Sequence, residues 1–112
     1  MIRHFEQMPV EPIGPAGSLR VHHILSGDSE MNGKARVLAL CTLDVGAAVP
    51  LHRHEGESET WFFLDGMGEF SDDGTPAPVQ RGDAAHLFPG HSHALRNVGD
   101  TPLQYIALVL YQ

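Results

Sequence analysis

Gly46-Ala47-Ala48-Val49-Pro50-Leu51-His52-Arg53-His54-Glu55-Gly56-Glu57-Ser58-Glu59-Thr60-Trp61-Phe62-Phe63-Leu64-Asp65-Gly66 is the stretch on which the fold turns. Val49 to His54 and Glu59 to Asp65 read as two short strands, the second rich in aromatic residues that suit a pleated surface. On a strand, residues two apart point to the same face. His52 and His54 therefore present two imidazoles side by side, and Arg53 points away from them. A lone histidine is ordinarily a solvated or hydrogen-bonded residue. A pair spaced His-x-His, with a carboxylate just downstream, suits adjacent ligands of one metal ion, because imidazole binds borderline metals and a carboxylate adds negative charge. Glu55, Glu57 and Glu59 share a parity. Glu55 and Glu57 flank Gly56 in a loop, whereas Glu59 opens the aromatic strand and is the more rigidly held.

On either side the chain repeats the same grammar of short strands and turns. Leu19 to Leu25 and Ala35 to Val45 are strands, separated by a polar loop ending in the hairpin-type pair Asn32-Gly33. Val37, Ala39, Cys41, Leu43 and Val45 share one face, and Leu38 and Leu40 soften the other, so burial on both sides is expected. Gly68 to Ser71, a turn at Asp72-Asp73-Gly74, and runs at Val79, Ala84 to Phe88, Ala94 to Val98 and Leu103 to Tyr111 complete the series. No window carries a capped helical period. Residues 1–18, with Pro9, Pro12, Gly14, Pro15 and Gly17, read as an irregular or edge-pairing arm. Residues 19–112 form a single domain, and the pattern is that of an all-β sandwich or barrel.

Composition excludes several functions. The 112 residues carry 14 acidic and 7 basic side chains, a net charge of −7 with no basic cluster. Nucleic acid is not an expected partner, since neutralising phosphates needs Lys and Arg. Neither is a membrane, since no apolar run approaches the roughly 18 residues of a span. The single cysteine, Cys41, forms no internal disulfide, and the N-terminus lacks a signal-peptide stretch; a cytoplasmic protein with a buried thiol is expected. What composition leaves unexplained is the count of 8 histidines.

The opening stretch resembles the first motif of the cupin superfamily: Gly, five residues, His-x-His, three or four residues, Glu, six residues, Gly. Gly46, His52, His54, Glu59 and Gly66 occupy every fixed position. Gly82-Asp83-Ala84-Ala85-His86-Leu87-Phe88-Pro89-Gly90-His91-Ser92-His93-Ala94-Leu95-Arg96-Asn97 is similar to the second motif, with Phe88 in place of its first proline. The fifteen residues between Gly66 and Gly82 match the spacing of small single-domain cupins. The resemblance implies a double-stranded β-helix, or jelly-roll barrel, of antiparallel strands. It implies that His52, His54, Glu59 and His93 ligate one divalent transition metal per chain, of the kind represented by Fe, Mn, Ni or Zn. Three imidazoles and one carboxylate would leave two positions open on an octahedral ion.

Around that site, His91 and His86 are candidates for acid/base groups, and Trp61 and Phe63 for cavity-lining residues. His4, His22 and His23 read as ordinary, and Arg53 and Arg96 point outward by parity. Lys34 lies in a turn. No cationic anchor for an acidic substrate stands out. The expected function is metal-dependent chemistry on a small organic molecule, of dioxygenase, isomerase, decarboxylase or lyase type. The alternatives are a non-catalytic ligand-binding or sensor module and a metal-free structural barrel. A homodimer is expected, through the N-terminal arm or through the apolar strand Leu103 to Tyr111 adding to a partner's sheet.

Overall fold

A computed structural model describes all residues from Met1 to Gln112. Ten strands run β1 (Val10–Ile13), β2 (Leu19–Leu25), β3 (Ala35–Leu43), β4 (Ala48–Arg53), β5 (Glu57–Asp65), β6 (Met67–Asp72), β7 (Thr75–Gln80), β8 (Ala84–Leu87), β9 (Ser92–Asn97) and β10 (Leu103–Tyr111). They form a six-stranded sheet, β1-β2-β3-β10-β5-β8, and a four-stranded sheet, β4-β9-β6-β7. Every pairing is antiparallel. This is the double-stranded β-helix, and the strands expected from the sequence are all present. The polar loop before β3 contains a single helical turn, α1 (Asp28–Met31), which Asn32 ends in the left-handed conformation.

The two sheets close on one core. Leu43, Trp61, Phe63, Leu103 and Tyr105 from the larger sheet meet Phe70, Val79 and Leu95 from the smaller. Strand β10 shows why: from Leu103 to Val109 its residues alternate between buried and half-buried, as a period-two strand with one core face requires. Because β10 pairs with β3 on one side and β5 on the other, it has no free edge. The expectation that it joins a partner's sheet is therefore corrected; its backbone groups are already used. Of the two readings of the N-terminal arm, irregular or edge-pairing, the structure has the second within one chain: β1 pairs with β2 and leaves one edge open. Val45 lies beyond the end of β3 and is exposed, so the inward face of that strand stops at Leu43.

One row across the larger sheet decides where the interior stays open. His23 faces Ala39, Ala39 faces Ala107, Ala107 faces Trp61, and Trp61 faces Ala85. Alanines at the centre of the sheet remove side-chain volume just where one large indole stands. A cavity of about 200 Å³ lies there, lined among others by Val37, Cys41, Val49, Tyr105 and Ala107. The motif residue Asn97 closes the loop between the strands that flank this interior. Its buried amide donates to the carbonyls of Leu43 and Thr101 and its oxygen accepts from the Gly99 N–H.

Candidate metal centre

His52 lies on β4, His54 one residue past its end, and Glu59 on β5. Their ligand atoms all lie within 4.8 Å of one another, on the wall of the cavity. Each side chain is held. The His52 ring Nδ1–H donates to the Pro50 carbonyl at 3.0 Å, which leaves Nε2 turned toward the Glu59 carboxylate 3.9 Å away. His54 Nε2 is 2.8 Å from Glu59 Oε1, and its Nδ1 is 3.5 Å from Glu57 Oε1. Trp61 Nε1–H donates to the other Glu59 oxygen at 2.8 Å. Orientation of a ligating histidine by a carbonyl or carboxylate on its other nitrogen is what metal sites use to fix the tautomer.

The electrostatics follow from this arrangement. Burial raises the Glu59 pKa, but contacts from His52, Trp61 and His54 outweigh it and hold the carboxyl below its ordinary range. The same Glu59 contact raises His52. A carboxylate kept ionised between imidazoles is a ready cation site. Burial, with the Glu59 charge adding to it, pushes the nearby Cys41 thiol up to about 12, so this cavity-lining sulfur is neutral and is no nucleophile at ordinary pH.

His93 stands differently. It faces His52 directly across β4 and β9, yet it is not within the 4.8 Å cluster. Its ring stacks on Phe70 at 5.6 Å and its Nε2 lies 3.2 Å from Asp72 Oδ1. The side chain is fully buried, and neither ring nitrogen makes a hydrogen bond of acceptable geometry. Burial lowers its pKa, opposed by Asp72, so the ring is held neutral, the form that binds a metal. An orphaned, buried, neutral imidazole beside a three-residue donor cluster fits a transition-metal ion. The expected convergence of four ligands is thus met by three, with the fourth one strand away.

The other expected site residues divide. Trp61 lines the cavity, but Phe63, fully buried, does not; it packs in the core against Tyr105 and Trp61. His86 is exposed on β8 between buried Ala85 and Leu87, hydrogen-bonded to Thr60, so strand parity carries it away from the cavity. His91 is exposed, stacked near His93 with ring centroids 6.3 Å apart. Arg53 and Arg96 are exposed as parity requires. Phe88 packs edge-on against His86, and the His91 N–H reaches the Phe88 carbonyl at 3.2 Å, so the turn closes without the motif proline.

Four further residues reach the site: Glu57 and His23, expected as a loop residue and an ordinary histidine, and Glu11 and Arg36, which no sequence pattern marks. Glu57 opens β5 instead of lying in a loop, and it joins His54 to Arg36, whose guanidinium donates at 2.6 Å. Its parity with Glu59 was the available signal. His23 lines the cavity with Glu11, 3.3 Å away on β1; only the pairing of the N-terminal arm with β2 brings them together.

Comparison with known proteins agrees with this geometry. A family model described as the Cupin domain matches residues 39–110. An oxalate-binding protein from Thermotoga maritima is 38% identical over 97 residues, covering 87% of this chain and 79% of that one. The crystal structure of a predicted oxalate decarboxylase from Thermotoga maritima superposes with a TM-score of 0.91 at 33% identity, over the whole of both chains. An RmlC-like cupin from Shewanella frigidimarina, 21% identical, shares the fold with a TM-score of 0.79 over 98% of this chain and 89% of its own.

Proposed function

The chain belongs to the cupin superfamily, and from that premise we propose that it holds one divalent transition-metal ion on His52, His54, Glu59 and His93 and binds a small dicarboxylate of the oxalate class beside it. The three-residue donor cluster on the cavity wall carries this reading. When bound, the ion supplies a Lewis-acid centre with open positions that a chelating carboxylate can fill. Cavity size supports a ligand of few atoms: about 200 Å³ is small against the roughly 300–1,000 Å³ of sites for drug-sized ligands. The chain's own contribution is to keep Glu59 ionised, to orient the two imidazoles through Pro50 and Glu57, and to surround the ligand with apolar walls.

A second reading, turnover of the acid by decarboxylase, dioxygenase, isomerase or lyase chemistry, draws on His23 and Glu11, an ionisable pair in the same cavity. Incubating Mn(II)-loaded protein with oxalate separates the two. Oxalate recovered unchanged, with a raised Tm, supports binding; its conversion supports turnover, to formate and carbon dioxide in equal amounts by decarboxylation or, with dioxygen consumed, to carbon dioxide and hydrogen peroxide by oxidation.

Two substitutions test the site. Glu59→Gln removes the charge while keeping the shape, and Mn(II) affinity by calorimetry falls at least about 100-fold, since losing a direct ligand costs no less than the largest effects of disturbing the groups behind one. An unchanged affinity overturns the reading. Affinity in the wild type also rises with pH through the histidine range, because the proton that His52 shares with Glu59 must leave before metal binds. Ala107→Leu places a larger side chain in the cavity; oxalate no longer raises the Tm of the metal-loaded protein, while metal affinity is retained. For partners, a second copy is proposed, joined through the open edge of β1. Light scattering then gives twice the 12.2 kDa chain mass. One buried cysteine suits the reducing cytoplasm.

A further inference from the structure

We propose that Asp72, His91 and His93 form a second binding position for a divalent transition-metal ion, next to the first and bridged to it by His93, whose ring N–H proton passes to solvent when the second ion binds, leaving one ring nitrogen for each ion. The inference rests on the reading above only in that His93 is common to both positions.

Strand register builds the position. Asp72 ends β6 and faces His93 directly across β9, and His93 in turn faces His52 on β4. One row therefore runs His52, His93, Asp72 across the smaller sheet. His91 precedes His93 by two residues, and the two rings are nearly parallel, 13° between planes. The ligand atoms of Asp72, His91 and His93 all lie within 4.8 Å of one another. The neighbouring turn is tied down by the Ser92 N–H donating to Asp73 Oδ1 and the Asp73 N–H donating to the Ser92 carbonyl.

The buried member points to a ligand. His93 has no exposed surface and both ring nitrogens lack hydrogen bonds, an arrangement that native interiors avoid because an unsatisfied buried polar atom is costly. Its Nε2 is directed at Asp72, 3.2 Å away. Asp72 and His91 are exposed, so an ion reaches them from solvent. Two imidazoles and one carboxylate select a borderline ion such as Zn(II) or Co(II) over Ca(II) or Mg(II).

Co(II) titration of the full-length His54→Ala/Glu59→Gln chain, followed by visible absorption, tests this. That protein still takes up one equivalent, and adding Asp72→Ala and His91→Ala weakens it at least about tenfold. Equal affinity with and without the added substitutions overturns the proposal, as does a complete absence of Co(II) binding to His54→Ala/Glu59→Gln of native circular dichroism. Should that variant not fold, the wild type decides by NMR with diamagnetic Zn(II): additions beyond one equivalent shift the His91 ring signals, and His91 signals that stop moving at one equivalent overturn the proposal. Failure of the first site registers separately, as wild-type affinity indifferent to Glu59→Gln.

Discussion

Trp61→Ala lowers the stability of the metal-free protein by about 4 kcal/mol, at the centre of the range for truncating a large buried aromatic. Trp61 is 2% exposed, and the rings of Tyr105, Phe70, His52 and Phe63 stand 4.9, 5.8, 6.3 and 6.4 Å from it. Ala39, Ala107 and Ala85 occupy the same row of the sheet, so they offer no volume to refill the space. The indole also fixes one oxygen of Glu59. Trp61→Phe separates the two roles: it keeps most of the ring volume but loses the donor, and it costs about 2 kcal/mol, the scale of a hydrogen bond to a charged group. Urea unfolding measures both. A loss below about 1 kcal/mol for the alanine variant would contradict the central place given to Trp61.

The second large effect lies in the backbone. Gly66→Ala costs about 3 kcal/mol or more, from a left-handed conformation that disfavours a side chain and from a clash. At φ +92° its new Cβ meets the Pro102 carbonyl oxygen at 2.7 Å and Leu103 Cα at 2.9 Å. Both are main-chain atoms, one just before and one at the start of β10, the strand at the heart of the larger sheet, so neither can swing aside. Gly82→Ala is the matched control. Its φ is +90°, but a Cβ there meets nothing within 4 Å. It carries the conformational cost alone, about 1 kcal/mol. Equal losses at the two glycines would show that the contact with β10 contributes nothing.

These two positions also show what the sequence can disclose. The strand carrying Trp61 was readable because Trp61, Phe62 and Phe63 run together just ahead of a turn glycine, and parity placed Glu59 and Trp61 on one face. His52 and His54 were readable for the same reason: the information is local. Where His93 turns its ring is not local. It depends on which residues β9 faces, and Asp72 comes opposite only through a register set by the whole sheet. In the sequence, Asp72 belongs to a turn signal and nothing more. His86 misleads in the opposite way: its strand is visible, but which face is inward is settled by the burial of Ala85 and Leu87. Glu11 and His23 meet only because the arm folds back as β1, a pairing that prolines at 9 and 12 do not advertise.

Strand β1 has one more consequence. Glu11 and Ile13 contribute to the cavity wall, yet all four residues of the strand are exposed and it is bonded along one side only. The rest of that sheet is tied on both sides, except at β8. Amide exchange therefore runs on two clocks: minutes-scale protection lost first at β1, and the slowest protons in β3, β10 and β5. A small acid lodged against Ile13 slows the first clock and leaves the second untouched, so occupancy of the cavity can be read from one peripheral strand without unfolding the molecule.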